Sequence, residues 1–159
     1  QDEGSGALEA KLSEMMRYIL YQSDQKMVLL KDEIAFIRNY VAVENVRYRS
    51  VITINLDVQG IDEYSTISPL LLLPFIENAF KHGVQEEEKE GYVNIVICKI
   101  GHELTLEMNN SISKIKDTSG GIGLLNVRKR LDILYPKKYK LEVENDGKVY
   151  QLSLTLVMK

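Results

Sequence analysis

Cysteine is almost missing from this sequence: Cys98 stands alone, so no intrachain disulfide can close. Two histidines, His82 and His102, are too few with one cysteine to build a zinc cluster. No apolar run approaches the roughly 18–20 residues of a membrane span, and no signal peptide is visible. A soluble chain is expected, whatever the larger protein does. Neither sign of charge dominates. Lys and Arg number 20 against 23 Asp and Glu, a net charge of −3, which removes a polycationic nucleic-acid binder as the default reading. What is present is an ordinary globular mixture, 45% apolar and 27% charged over 159 residues. A chain of that length buries roughly 68–70% of its unfolded surface, enough for one core without metals or disulfides.

Residues 1–7 are polar and glycine-containing and read as a flexible lead-in. Leu8, Leu12, Met15, Met16, Ile19 and Leu20 then recur at helical spacing, an amphipathic helix ending near Ser23-Asp24. A second helix is predicted from about Lys31 to Arg49, with Ile34, Ile37, Val41 and Tyr48 on one stripe. Phe36, Tyr40 and Val43 widen that stripe, and a two-sided apolar helix sits between packed layers. From Val51 the period becomes two: Ile52, Ile54, Leu56 and Val58 form the core side of a strand that ends at Gln59-Gly60. Ser68-Pro69 looks like a helix start, with a hydroxyl at the cap and proline in the first turn. The helix runs to Gly83, with a kink or restart expected at Pro74. The acidic run Glu86 to Glu88 reads as a solvated loop.

Two hairpins follow. Tyr92–Ile100 and Leu104–Asn109 flank Gly101-His102, and Tyr139–Glu144 and Val149–Val157 flank Asn145-Asp146-Gly147. Between them lie a polar stretch, Ser111 to Ser119, and a helix from about Gly123 to Tyr135. The order of elements predicts an α/β fold, a two-layer sandwich with a mixed sheet of about five strands packed on helices.

The chemistry concentrates in two segments. In the first, Glu77 to Gly83, residues Asn78, Lys81 and His82 are spaced i, i+3 and i+4 and share one helix face. Ile76, Ala79 and Phe80 face the core on the other side. An amide oxygen, a cation and an imidazole on one strip suit Mg²⁺ with phosphates, because Mg²⁺ takes only one or two protein oxygens. The plainer alternative is a solvated helix end, with Lys81 and His82 neutralising the last carbonyls. In the second segment, Gly120 to Leu131, glycines open a helix and present backbone donors at its positive end, an anion site. The alternative there is a bare loop and helix start. Arg128 and Arg130 read either as phosphate ligands or as ordinary surface.

The stretches PLLLLPFIENAFKHG, from Pro69, and GGIGLLNVRKRLDILY, from Gly120, resemble the ATP-binding domain of LytS-type sensor histidine kinases, within the GHKL ATPase superfamily. LSEMMRYIL and LKDEIAFIRNYVAVENVRYR resemble that family's linker helices. The resemblance implies a Bergerat-type sandwich, with residues 8–49 as linker helices and 50–159 as the ATP-binding catalytic domain. ATP and Mg²⁺ are the implied cofactors. Asn78 would hold Mg²⁺, Lys81 and His82 would approach the phosphates, and Gly121, Gly123 and Leu124 would line the nucleotide. Ser111 to Gly120 would form a mobile lid.

Three departures from the family's pattern matter. Its phosphoacceptor histidine lies in a Pro-His-Phe-type motif before Leu8, and neither His82 nor His102 has that context. Its adenine-reading Asp-x-Gly is replaced by Asn110-Ser111-Ile112, where Asn110 still offers an amide oxygen to an adenine amino group. Gyrase-like members carry a basic Glu at the place of Pro74. Steady ATP hydrolysis is therefore disfavoured, and Glu77 joins Asn78 as a catalytic candidate, being the local carboxylate for proton work. The implied function is phosphoryl transfer from ATP to a histidine upstream, then to a response regulator of LytTR type. The implied parent is a homodimer anchored in the inner membrane, with this part cytoplasmic and touching neither nucleic acid nor membrane. The alternatives are a non-catalytic module of the same fold that has lost nucleotide binding, and an anti-sigma-type serine kinase.

Overall fold

The structure is a computed structural model and describes residues 2–48, 52–83, 91–112 and 120–158, with the backbone alone for 2–5, 82–83 and 120–123. In chain order the elements are α1 (Asp2–Tyr21), β1 (Val28–Leu29), α2 (Leu30–Tyr48), β2 (Ile52–Gln59), β3 (Thr66–Ile67), α3 (Leu73–Gly83), β4 (Gly91–Ile100), β5 (Glu103–Ser111), α4 (Gly120–Leu134), β6 (Tyr139–Asn145) and β7 (Val149–Val157). Five strands form one mixed sheet in the order β2-β4-β5-β7-β6, with β2 parallel to β4 and the other pairs antiparallel. The parallel pair follows from its connection: α3 lies between β2 and β4 in the chain, and parallel neighbours need such a crossover. Among the described residues, no helix is long and apolar enough to cross a membrane.

Alternation sets the two faces of the sheet. Val93, Ile95 and Ile97, then Leu104, Leu106 and Met108, then Leu152, Leu154 and Leu156 are buried in adjacent rows. Onto them α2 places Ile34, Ile37 and Val41, α3 places Phe75, Ile76, Ala79 and Phe80, and α4 places Val127 and Leu131. The other face is polar: Asn55, Asn94 and Asn109 stand in register and bond side chain to side chain at 2.8 and 2.9 Å. Helices on one face only make the two-layer sandwich that the sequence predicts. The two-sided α2 also has its predicted place. Phe36 stacks on Tyr18 of α1 at 5.0 Å, and Tyr40 meets Phe80 of α3 edge-on at 5.9 Å.

Several boundaries differ from expectation. α1 is helical from Asp2, so the lead-in over residues 1–7 is part of a helix from its second residue. Ser68-Pro69 does not cap a helix. The chain leaves β3, turns at Pro69-Leu70 with Leu70 at a φ of 56°, and enters α3 only at Leu73. Pro74 thus falls in the first turn, where a missing N–H leaves no helical bond unmade, and no mid-helix kink is needed. α4 starts at Gly120, not Gly123, so the glycines lie inside its first turn. The short pair β1–β3, joining Val28 to Ile67, is absent from the sequence reading. The acidic run Glu86 to Glu88 lies outside the described residues.

Candidate functional site

The apolar residues of α3 fix where its polar ones go. With Phe75, Ile76, Ala79 and Phe80 turned inward, Asn78 falls at the edge of the packed layer, half-buried. Its Nδ2 faces Tyr150 Oη at 3.5 Å. Tyr150, on β7, is the cross-strand partner of Asn110 on β5. Burial pushes the Tyr150 phenol up, opposed by its hydrogen bond with Asn78 and by the nearby positive charge of Arg128 on α4. One end of the sheet therefore gathers Asn78, Tyr150, Asn110 and Arg128 from α3, β7, β5 and α4.

Asn110 is the unusual member. It has no exposed surface, and its Nδ2 donates to Ser111 O at 3.1 Å. Its Oδ1 is buried with no hydrogen-bond partner among the described residues. Leaving such an acceptor unmet costs about 1–3 kcal/mol, and native proteins tolerate few of them. The atom is suited to receive an N–H from a ligand.

The remaining sequence candidates are placed as follows. Glu77 is half-buried toward α2, and its charge contributes to raising the Tyr40 phenol and the Glu44 carboxyl, in each of which burial is the leading cause. Lys81 is exposed on the last turn of α3, and the side chain of His82 lies outside the described residues. Gly121 and Gly123 occupy the first turn of α4, whose leading N–H groups have no intrahelical acceptor. Leu124 is partly buried against the core. Of the predicted lid, residues 113–119 lie outside the described residues, whereas Ser111 is anchored, its Oγ accepting from Tyr92 N at 3.0 Å. His102 is exposed in the β4–β5 turn, eight positions along β5 from Asn110 and so roughly 26 Å away at 3.3 Å per residue.

Sequence reasoning passed over Tyr150 and did not foresee what Arg130 binds. Tyr150 is the aromatic at the head of an inward row of leucines, a break in pattern that marks a polar tip at the sheet's end. Arg130, open in the sequence between phosphate ligand and ordinary surface, is tied into the fold: its guanidinium donates to Leu70 O at 3.1 Å, Ser68 Oγ at 3.0 Å and Pro69 O at 2.5 Å. Among the described residues no three His, Cys, Asp or Glu side chains gather in a metal-binding group. A Mg²⁺ shared with phosphates needs no such group, and the Asn78 amide oxygen fits its single-oxygen demand.

Comparison with known proteins supplies the context. The family model for histidine kinases matches residues 2–52, from α1 to the first residue of β2. The sensor histidine kinase YpdA of Escherichia coli K12 is 29% identical over 136 residues, 78% of this chain and 24% of that protein. The chain spans about a quarter or less of the length of the curated relatives it matches. Among solved structures, the catalytic domain of histidine kinase ThkA superposes with a TM-score of 0.59 at 16% identity, covering 82% of this chain and 95% of that one. ThkA in complex with the response regulator protein TrrA gives 0.55 at 14% identity, covering 94% and 48%.

Proposed function

We propose that the chain, similar to sensor histidine kinases and sharing the fold of a histidine kinase catalytic domain, is the ATP-binding core that passes the γ-phosphoryl group of ATP to a histidine. The observation that carries the reading is the fully buried Oδ1 of Asn110, unmet among the described residues and one cross-strand step from the tyrosine that touches Asn78. An adenine amino group is a donor of the required kind. On this reading Asn110 receives the base at one end of the ligand and Asn78 holds Mg²⁺ at the other. Lys81, His82 and Arg128 approach the phosphates, Gly121 and Gly123 offer backbone N–H groups to them, and Leu124 packs against the nucleotide. Bound Mg²⁺ supplies charge neutralisation for the phosphate oxygens. The protein's share is positioning and further neutralisation, as phosphoryl transfer generally requires. Glu77, beside Tyr40 and Glu44, is the local carboxylate for proton work.

The acceptor histidine is assigned to a segment preceding this chain, and the next acceptor to a response regulator of LytTR type. A response regulator as partner is supported by ThkA, a structure of the same fold, which is in complex with the response regulator protein TrrA. Residues 8–49 are assigned as the helices leading into the catalytic domain at 50–159, in a homodimeric, membrane-anchored parent. Isothermal titration with Mg-ATP tests the site. Binding is expected, and Asn78→Ala should weaken it by about 10–100-fold while leaving the fold intact, because the core contacts of α3 are made by other residues. No binding by the parent chain rejects the reading in favour of a non-catalytic module. The substitution of Asn110 for the family's aspartate is what motivates that second reading. Labelled ATP is expected to leave His82 and His102 of this chain unlabelled, and stable label on either would reassign the acceptor.

A further inference from the structure

Leu70 is a leucine in the left-handed region, at a φ of 56°, a conformation that side chains with a Cβ rarely adopt. Something must hold it there, and both of its backbone polar groups are held. Leu70 N donates to Glu33 Oε1 at 2.7 Å, and Leu70 O accepts from Arg130 Nη1 at 3.1 Å. The two rotatable backbone bonds of Leu70 lie between that N–H and that C=O, so fixing both groups fixes both dihedrals. Arg130 also binds Pro69 O and Ser68 Oγ, and Ser68 N donates to Tyr135 Oη at 3.2 Å.

Glu33 has no exposed surface, and its second oxygen has no partner among the described residues. A carboxylate is costly to bury unless it is paired and hydrogen-bonded, and here its pairing is with Leu70 N, the Tyr18 hydroxyl and the charge of Arg130 nearby. The segment Ser68–Leu70 is thus gripped by α2 and α4, with α1 reaching the grip through Tyr18. It ends three residues before α3, the helix of Asn78, while Arg130 belongs to the helix that begins with Gly121 and Gly123.

We propose that Glu33 and Arg130 are positioning residues for the nucleotide site: by clasping Leu70 they set where α3 begins, and so where Asn78 stands relative to Asn110 and the start of α4. Tyr18 makes the hold depend on the seating of α1. The affinity arm of the test rests on the ATP-binding reading; the exchange arm does not.

The decisive comparison is Arg130→Met, which keeps the stem and removes the donors, alone and with Leu70→Gly. Glycine adopts the left-handed conformation unaided, so it replaces what the clasp does without replacing the clasp. Without nucleotide, Arg130→Met should speed amide hydrogen exchange over Leu73–Ala79 by about tenfold, and raise the Kd for Mg-ATP by a similar factor. Adding Leu70→Gly should recover most of both. Were Arg130 a merely structural prop, Leu70→Gly would deepen the defect, and that result overturns the proposal, as does unchanged exchange in Arg130→Met. If Arg130→Met does not fold, Glu33→Met, which removes the acceptor for Leu70 N, carries the same comparison. If the parent chain shows no affinity for Mg-ATP, the functional reading falls, while exchange alone still decides for or against the clasp.

Discussion

At the scale of single residues, burial turns a sequence-level substitution into a two-sided one. Read from sequence, Asn110→Asp restores the carboxylate of the family's pattern and strengthens adenine binding by on the order of 1 kcal/mol. The structure adds a cost, because Asn110 Nδ2 donates to Ser111 O and an aspartate has no N–H to give. Two carboxylate oxygens would then sit, fully buried, beside a carbonyl. Asn110→Asp should therefore lower the ligand-free Tm, by on the order of 1–3 kcal/mol of stability, and enlarge the upward shift on adding Mg-ATP. Paired thermal melts check both signs. Asp62 gives a pH test. Its carboxylate accepts from Ser65 Oγ and N and from Tyr64 N and pairs with Lys99 at 2.9 Å, and the Ser65 and Lys99 bonds chiefly hold its pKa below the ordinary 3.8. A depressed folded-state pKa contributes stability above the unfolded value, lost as pH falls below it. Asp62→Asn should be less stable than the parent at pH 7, and the gap should narrow as pH drops below about 4. An unchanged gap from pH 7 to pH 2 would remove Asp62 as the source. Asn78 and Asn110, the candidates read from the sequence, lie in local patterns. Glu33 and Tyr150 depend on partners 37 and 72 residues away in the chain, beyond the reach of any local pattern.

At the scale of elements, the legible parts were those whose pattern is self-contained. The β4–β5 turn needs only Gly101, at a φ of 58°, and the β6–β7 turn needs Asp146 to accept from Lys148 N and Val149 N at 2.8 Å. The strands between them announce themselves by alternation. The start of α3 was misplaced because Ser68-Pro69 satisfies the local rules for a cap, while the Glu33–Arg130 clasp, drawn from distant segments, decides the outcome. β1 and β3 were invisible because two residues carry no period; their pairing is made by Val28 with Ile67, and Leu30 N with Ser65 O adds a bond beside it. Gly60 tests how tightly β2 ends. It has a φ of 78°, and a Cβ there would stand 2.1 Å from Lys99 O, a backbone atom with little room to yield. Gly60→Ala should cost more than the roughly 1–2 kcal/mol of left-handed strain alone. Urea unfolding should show an earlier midpoint at unchanged slope, and an unmoved midpoint would mean that the strand end separates from β4 without cost.

At the scale of the whole molecule, the buried cluster runs without a break from Val28 and α2 through the sheet to Met158. α1 lies against α2 on the far side of that core. Its outward side carries Leu12, Met16, Ile19 and Leu20, with exposures of 41, 63, 43 and 63%. The spacing i, i+4, i+7 and i+8 makes these a continuous stripe of the kind that packs on another helix. A second copy of the chain, in keeping with the homodimer proposed above, is the occupant to test. Magnitudes decide the conditions. Completing the burial of side chains already about half covered is worth roughly 1 kcal/mol each. Eight of them, four from each copy, would offer a gain comparable with the 4–15 kcal/mol that association costs in lost freedom. Dimerisation through this stripe alone should therefore be weak and visible only at high concentration. Light scattering on the parent chain should give a mass that climbs with concentration toward that of two copies. Met16→Glu with Leu20→Glu should hold the mass at one copy. It should leave the affinity for Mg-ATP unchanged, because the substituted positions face away from α2 and from the end of the sheet where Tyr150 stands between Asn78 and Asn110. A parent mass that stays at one copy at every concentration would leave the stripe without its proposed occupant, and a double variant that still associates would move the interface elsewhere.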